Sequence, residues 1–143
     1  MSGALADKLK LEVATPLGLK LAVECDSVEA RSVDGYFDVL PGHLPMLAAL
    51  KGGLLRYHEA GQWKVAAMGP GFVEAEPDRV LILTDAFKLP SEVDVAAVQK
   101  RQADVNEKMR NFAENTSAAE YQELSREFDW LEAQIDAHRV HNS

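Results

Sequence analysis

With 143 residues, the chain has room for one ordinary domain, or for a compact domain with an appended element. Apolar residues at 47% and charged residues at 27% suit a soluble folded protein, and a sandwich of roughly 80 to 100 residues buries a real core. The 15 Lys and Arg against 23 Asp and Glu leave a net charge of -8, which repels phosphate backbones and anionic headgroups, so neither nucleic acid nor direct lipid adhesion is expected.

From Met1 to Lys10 there is no long apolar core followed by a small-residue cleavage site, so no secretory signal is expected. The first arginine is Arg31, which argues against an Arg-rich transit peptide. The apolar run Met46-Leu47-Ala48-Ala49-Leu50 falls far short of the ~20 residues a membrane helix needs, so membrane association has to go through another protein. Cys25, the single cysteine, excludes an internal disulfide and reads as a small apolar strand residue.

Lys8 to Val13 alternates with period two, Pro16 and Gly18 turn the chain, and Leu19, Leu21 and Val23 alternate again on one face. Further strands are expected at Val28 to Val33, Leu54 to His58 and Trp63 to Ala67, with Gly61 marking a hairpin. Glu76-Pro77-Asp78 signals a turn, and Val80-Leu81-Ile82-Leu83 reads as a strand buried on both faces. Short strands with frequent turns imply an antiparallel β-sandwich or barrel.

Past Pro90 the period becomes helical. Ser91 is a suitable N-cap, with Glu92 and Asp94 as first-turn acids. Val95, Val98, Gln102, Val105, Met109 and Phe112 recur at 3-4-3-4-3 spacing, and Tyr121, Leu124, Phe128, Leu131, Ile135 and His138 repeat it after a polar break containing Asn115-Thr116-Ser117. A short break makes the helices antiparallel, and matching seams can zip together without a larger core. The fold class is thus mainly β plus α: a sandwich over 1–89, then a helical hairpin over 90–143 with helices at about 92–113 and 118–138.

Chemistry is sparse. Of His43, His58, His138 and His141, only the loose tail pair His138 and His141 comes near metal-ligand spacing, a pattern common at fraying termini, so no metal is expected. Met68-Gly69-Pro70-Gly71-Phe72 lacks the third glycine of a dinucleotide loop and the lysine of a P-loop, and reads as a tight strand turn. Asp85, Glu92 and Asp94 have no cleft to pair them, so no catalytic set and no cofactor is expected. Gly35 to Leu50 stands out: Pro41 and Pro45 bracket Gly42-His43 and make a stiff extended loop, either a rigid corner or a preformed docking loop.

Gly35-Tyr36-Phe37-Asp38-Val39-Leu40-Pro41-Gly42-His43-Leu44-Pro45-Met46-Leu47 resembles the Leu-Pro-Gly-His-x-Pro-Leu-Leu stretch of ATP synthase epsilon subunits, called delta in mitochondria. Gly69-Pro70-Gly71-Phe72-Val73-Glu74-Ala75 is similar to that family's Ser-Gly-Gly-Phe-Val-Glu-Val, and Val80-Leu81-Ile82-Leu83-Thr84-Asp85 follows at the expected interval. The resemblance runs from about Leu9 to His138.

This resemblance implies a non-catalytic central-stalk subunit of the proton-translocating ATP synthase, linking gamma to the c-ring and coupling rotation to ATP synthesis. It implies a peripheral place on the cytoplasmic face of the bacterial inner membrane. Tyr36, Asp38 and His43 would face the c-ring and gamma. The hairpin would fold on the sandwich, or extend toward the alpha and beta subunits and regulate ATP hydrolysis. Asp38 replaces the family's glycine and Tyr36 stands where glutamate is common, so the carboxylate is shifted two residues along the same strand face. The ATP-binding motif of some members matches Val93 to Val98 here, but its phosphate-pairing arginine is Ala97, so ATP sensing of that kind is not expected. Glu120, Glu123, Glu127, Asp129, Glu132 and Asp136 oppose Arg126 and Arg139 where inhibitory members are basic, so weak or absent inhibition is expected. A non-motor adaptor with a β-sandwich and a coiled-coil hairpin fits the physics of the chain as well, and a small-barrel enzyme would need ligands beyond His43 and His58.

Overall fold

A computed structural model of the chain describes residues 7–111 and 117–142. Ten strands come first: β1 (Leu9–Thr15), β2 (Gly18–Cys25), β3 (Ser27–Ser32), β4 (Gly35–Val39), β5 (Met46–Leu50), β6 (Gly53–Glu59), β7 (Gln62–Met68), β8 (Gly71–Glu76), β9 (Arg79–Thr84) and β10 (Phe87–Lys88). One 3-10 turn (Pro90–Glu92) then leads into helices α1 (Val95–Arg110) and α2 (Ala118–His141). The strands hydrogen-bond in the order β10-β7-β6-β3-β5-β8-β9-β1-β2, with β4 attached to β3. Every pair is antiparallel except β1 with β9.

Period-two alternation explains why this chain closes around one core. Leu9, Leu11 and Val13 of β1 point inward with Val73 and Ala75 of β8 and Val80 and Ile82 of β9. They meet Val28, Ala30, Leu55 and Tyr57 from β3 and β6, all within one buried cluster. The β6–β7 hairpin forms where Gly61 is expected to place it: Ala60 and Gly61 both have positive φ (52° and 80°), as a two-residue type I′ turn requires. The crossing from β7 to β8 is tied by Thr84, whose buried hydroxyl lies 2.9 Å from the Gly69 carbonyl and 3.0 Å from that of Pro70.

The strand buried on both faces is β7, not β9. Val80 and Ile82 are buried, but Leu83 is 50% exposed and Leu81 only half-buried. In β7, Ala66 and Met68 are buried on the sandwich side while Val65 and Ala67 are buried beneath α2. The apolar run in β9 therefore comes from outward-facing leucines rather than from a second cover.

The first helix starts later than Ser91. The Leu89 N–H donates to the Glu92 carboxylate, Val93 is extended, and the Asp94 carboxylate accepts from Ala97 N at 3.1 Å. Asp94 caps as well as serine does, and starting there leaves Val93 free to pack into the hairpin seam. Ser117 caps α2 by accepting from Glu120 N at 3.1 Å. Phe112, Asn115 and Thr116 lie outside the described residues.

The seam holds Val98, Val105 and Leu131, with Met109, Leu124, Phe128 and Ile135 packed on them. Arg101 grips Glu127 with two parallel hydrogen bonds of 2.6 and 2.8 Å, and Gln102 donates to Glu132 at 3.1 Å. The hairpin does not stand alone on that seam. A second stripe on α2, Trp130, Ala133 and Ala137, packs on Leu54, Val65 and Ala67 of the sheet. Gly52 completes the contact, since a Cβ there would lie 3.4 Å from that of Asp129.

Two predictions follow from this packing. A methyl added at Gly71 would meet the Leu83 carbonyl oxygen at 1.9 Å, so Gly71→Ala is expected to cost about 3 kcal/mol, read from the denaturant midpoint. The hydrogen bond from Arg101, aided by its charge, holds the Glu127 carboxyl below its ordinary 4.5. The unfolded chain thus takes up its proton first, and the pair's contribution is complete above 4.5 and declines as pH falls through the depressed folded value. The two side chains are 42% and 34% exposed, so solvent screens the pair and the effect is small. Glu127→Gln is expected to remove that part of the pH dependence when hairpin melting is followed at pH 7 and pH 3.5.

Candidate docking surfaces

Gly35 to Leu50 is not one extended loop. It forms β4 and β5 joined by a short corner at 40–45. In β4 the register Arg31↔Tyr36 and Glu29↔Asp38 turns Tyr36 and Asp38 outward, while Val39 is buried. Tyr36 and Asp38 therefore share one face of one strand, two positions apart, and Tyr36 is 72% exposed. Leu40-Pro41-Gly42-His43 then makes a type II turn: His43 N donates to Leu40 O at 3.0 Å, and Gly42 has φ 83°, which a side chain would resist. Gly42 N also donates to Pro77 O at 2.7 Å, pinning this corner to the β8–β9 turn. His43 closes the turn, outside β4, with Nδ1 2.5 Å from Leu44 O. Ahead of it, Leu44 and Leu47 are exposed at 79% and 75%.

A larger surface lies on the outer face of the β5-β8-β9-β1-β2 half, and sequence reasoning did not find it. Ala49 is paired with Phe72, Phe72 with Leu83, Leu83 with Ala14, and Ala14 with Leu19. These five residues form one cross-strand row, apolar from end to end. Phe72, Leu83 and Leu19 are each at least half exposed, and Leu17 at the hairpin tip is 86% exposed. A β-bulge creates the end of the row. Val13 pairs with Leu21 but Ala14 pairs with Leu19, so Lys20 is the extra residue and Leu19 turns out while Leu21 packs on the core. The expectation that Leu19, Leu21 and Val23 share a face fails at that bulge. An exposed, continuous apolar row of this kind marks an interaction surface rather than a reaction centre.

The remaining titratable groups serve structure. Burial pushes the Cys25 thiol up to about 11, opposite to what a nucleophile needs. Burial likewise raises the Tyr57 hydroxyl above its ordinary value. His58 Nδ1 lies 2.7 Å from an Asp26 oxygen, and Arg56 stacks 4.8 Å over the Trp63 ring. Of the six acids on α2, Glu127 and Glu132 are bound to α1 and Asp136 pairs with Arg139, leaving Asp129 half-buried beside Gly52 and Glu120 and Glu123 at the exposed end. Ala97 stands exposed in the first turn of α1, where its N–H is taken by the Asp94 cap.

Residues 8–90 match the family described as ATP synthase, Delta/Epsilon chain, beta-sandwich domain. An ATP synthase epsilon chain of Magnetococcus marinus is 35% identical over 127 residues, 89% of this chain and 91% of that one. A second, from Halalkalibacterium halodurans, is 31% identical over 94% of this chain and 92% of its own length. A third, from Desulforudis audaxviator, is 37% identical over 64% of this chain and 66% of its own. Among solved structures, a chain in the mitochondrial ATP synthase of Euglena gracilis, containing OSCP, F1 and c-ring, shares the fold with TM-score 0.78 at 18% identity, over 96% of this chain and 84% of that one. A chain in the central stalk and c-ring of the Tetrahymena thermophila mitochondrial enzyme gives TM-score 0.65 at 14% identity, over 94% of this chain and 99% of that one. With its sandwich matched along its whole length and full-length relatives above 30% identity, the chain belongs to the ATP synthase delta/epsilon family.

Proposed function

We propose that this chain is the non-catalytic epsilon subunit in the central stalk of a bacterial ATP synthase, turning with gamma and the c-ring so that rotation is coupled to ATP synthesis. On this reading the unit over 1–89 is the rotor-binding domain, and 90–143 is the hairpin that meets alpha and beta. The chain then sits peripherally on the cytoplasmic face of the inner membrane, held there by the complex.

The observation that carries the reading is the exposed apolar row from Ala49 through Phe72, Leu83 and Ala14 to Leu19, on the face the hairpin leaves uncovered. A permanent partner such as gamma would bury such a row, because obligate interfaces are the apolar ones. Tyr36 and Asp38 on their shared strand face, with His43 in the corner after that strand, would meet the hydrophilic loops of the c-ring. On the hairpin, the cleft of about 700 Å³ near Arg101 is lined by more carboxylates than cations, which disfavours a nucleotide there and agrees with Ala97 in place of an arginine.

A tagged copy recovered from gently solubilised membranes is expected to bring down alpha, beta, gamma and c subunits by mass spectrometry. Recovery of none of them, with the chain stable in the soluble fraction, would favour the adaptor instead. Phe72→Glu combined with Leu83→Glu is expected to weaken gamma recovery more than tenfold with an unchanged circular dichroism spectrum, since both charges would be buried unpaired. Ending the chain after Leu89 is expected to leave ATPase activity of the complex within about twofold, because an acidic hairpin docks poorly on a surface of alpha and beta that suits the basic hairpins of inhibitory members. A strong rise would contradict that part.

A further inference from the structure

The outer face of the β5-β8-β9-β1-β2 half changes character along its strands. One step on from the apolar row, pairing sets Glu74, Leu81 and Glu12 side by side, with Leu47 and Ala22 at the ends. These residues point outward, because Val73, Ile82 and Val13 beside them are buried and Ala48 and Leu21 pack on the core. Glu74 is exposed and Glu12 half-buried, and neither has an ion pair among the described residues. A further step on, the charges are balanced: Glu76 lies 4.0 Å from Arg79, and Glu24 stands opposite Lys10. The two carboxylates without cations are thus set among apolar side chains, next to the apolar row.

A partner that covers the apolar row also reaches this second row, since successive outward positions on a strand are about 7 Å apart. Apolar cover alone would strip water from both carboxylates and leave their charges uncompensated, which opposes docking. An apolar row also tolerates sliding, whereas charge pairs fix one alignment. Resting on the reading that gamma occupies this face, we propose that Glu12 and Glu74 set the register of that interface, each meeting a lysine or arginine of gamma. Glu74 and Glu12 are two strands apart, so those cations stand roughly 10 Å from one another. The chain's net charge of -8 speeds the approach of a basic surface, and these two carboxylates determine where it settles.

The full chain is passed over an immobilised complex of alpha, beta and gamma lacking it, at low and at high salt. The unsubstituted chain is expected to bind, and to bind less tightly as salt rises. Glu12→Gln with Glu74→Gln is expected to weaken binding about tenfold at low salt and to flatten the salt dependence. Glu24→Gln with Glu76→Gln removes the same charge from the balanced row, and is expected to change affinity less than about twofold. Equal losses from the two double variants would overturn the proposal, since net charge alone would account for both. Unaltered affinity after Glu12→Gln with Glu74→Gln would overturn it too. If Phe72→Glu with Leu83→Glu still abolishes binding in that case, gamma does occupy the face and only the charge pairing fails. No binding by the unsubstituted chain would remove the gamma reading, and this proposal with it.

Discussion

Val65 and Ala67 on β7 face Ala133 and Ala137 on α2, and that contact between small residues sets where the hairpin lies. It is close because nothing intervenes: Gly52 lets the helix backbone approach, and alanines carry no bulk to hold it off. It makes β7 a strand buried on both faces and leaves β5, β8, β9, β1 and β2 without a helix over them. The helices cover one outer face of the sandwich, and the other keeps its apolar row exposed.

The family's most recognisable stretch works first as architecture. Pro41 and Gly42 close a type II turn whose Gly42 N–H reaches Pro77, locking the β4–β5 corner to the β8–β9 turn. The backbone around His43 is therefore fixed before any partner arrives, which lowers the ordering cost of binding. Glycine is required there for its positive φ, and Gly71 is required for lack of space beside Leu83.

Much of this was legible from residue order. Strands flanked by clear turn residues, such as those around Pro16 and Gly61, follow from period-two alternation, and the two helices follow from their 3-4 spacing. The errors have physical causes. Two prolines hid β4 and β5, because Pro41 and Pro45 sit in the corner between the strands rather than within them. A run such as Val80 to Leu83 cannot say whether its outward leucines face a helix or solvent, and here Leu83 is half exposed. The Lys20 bulge changes the face of Leu19 with no compositional mark. The stripe Trp130, Ala133, Ala137 was legible in spacing, but alanine seldom announces a buried face. Tyr36 and Asp38 do share a strand face, as their separation of two requires, while His43 closes the turn after that strand.

We propose that gamma occupies the uncovered apolar face. Cryo-electron microscopy of the intact complex, purified from its own membranes with this chain in place, tests it most directly. Gamma is expected to pack on Phe72 and Leu83, with Tyr36 and Asp38 toward the ring and the β6–β7 face left to the hairpin. Gamma seated on β6 and β7 instead, or Phe72 and Leu83 still open to solvent in the assembled complex, would contradict it.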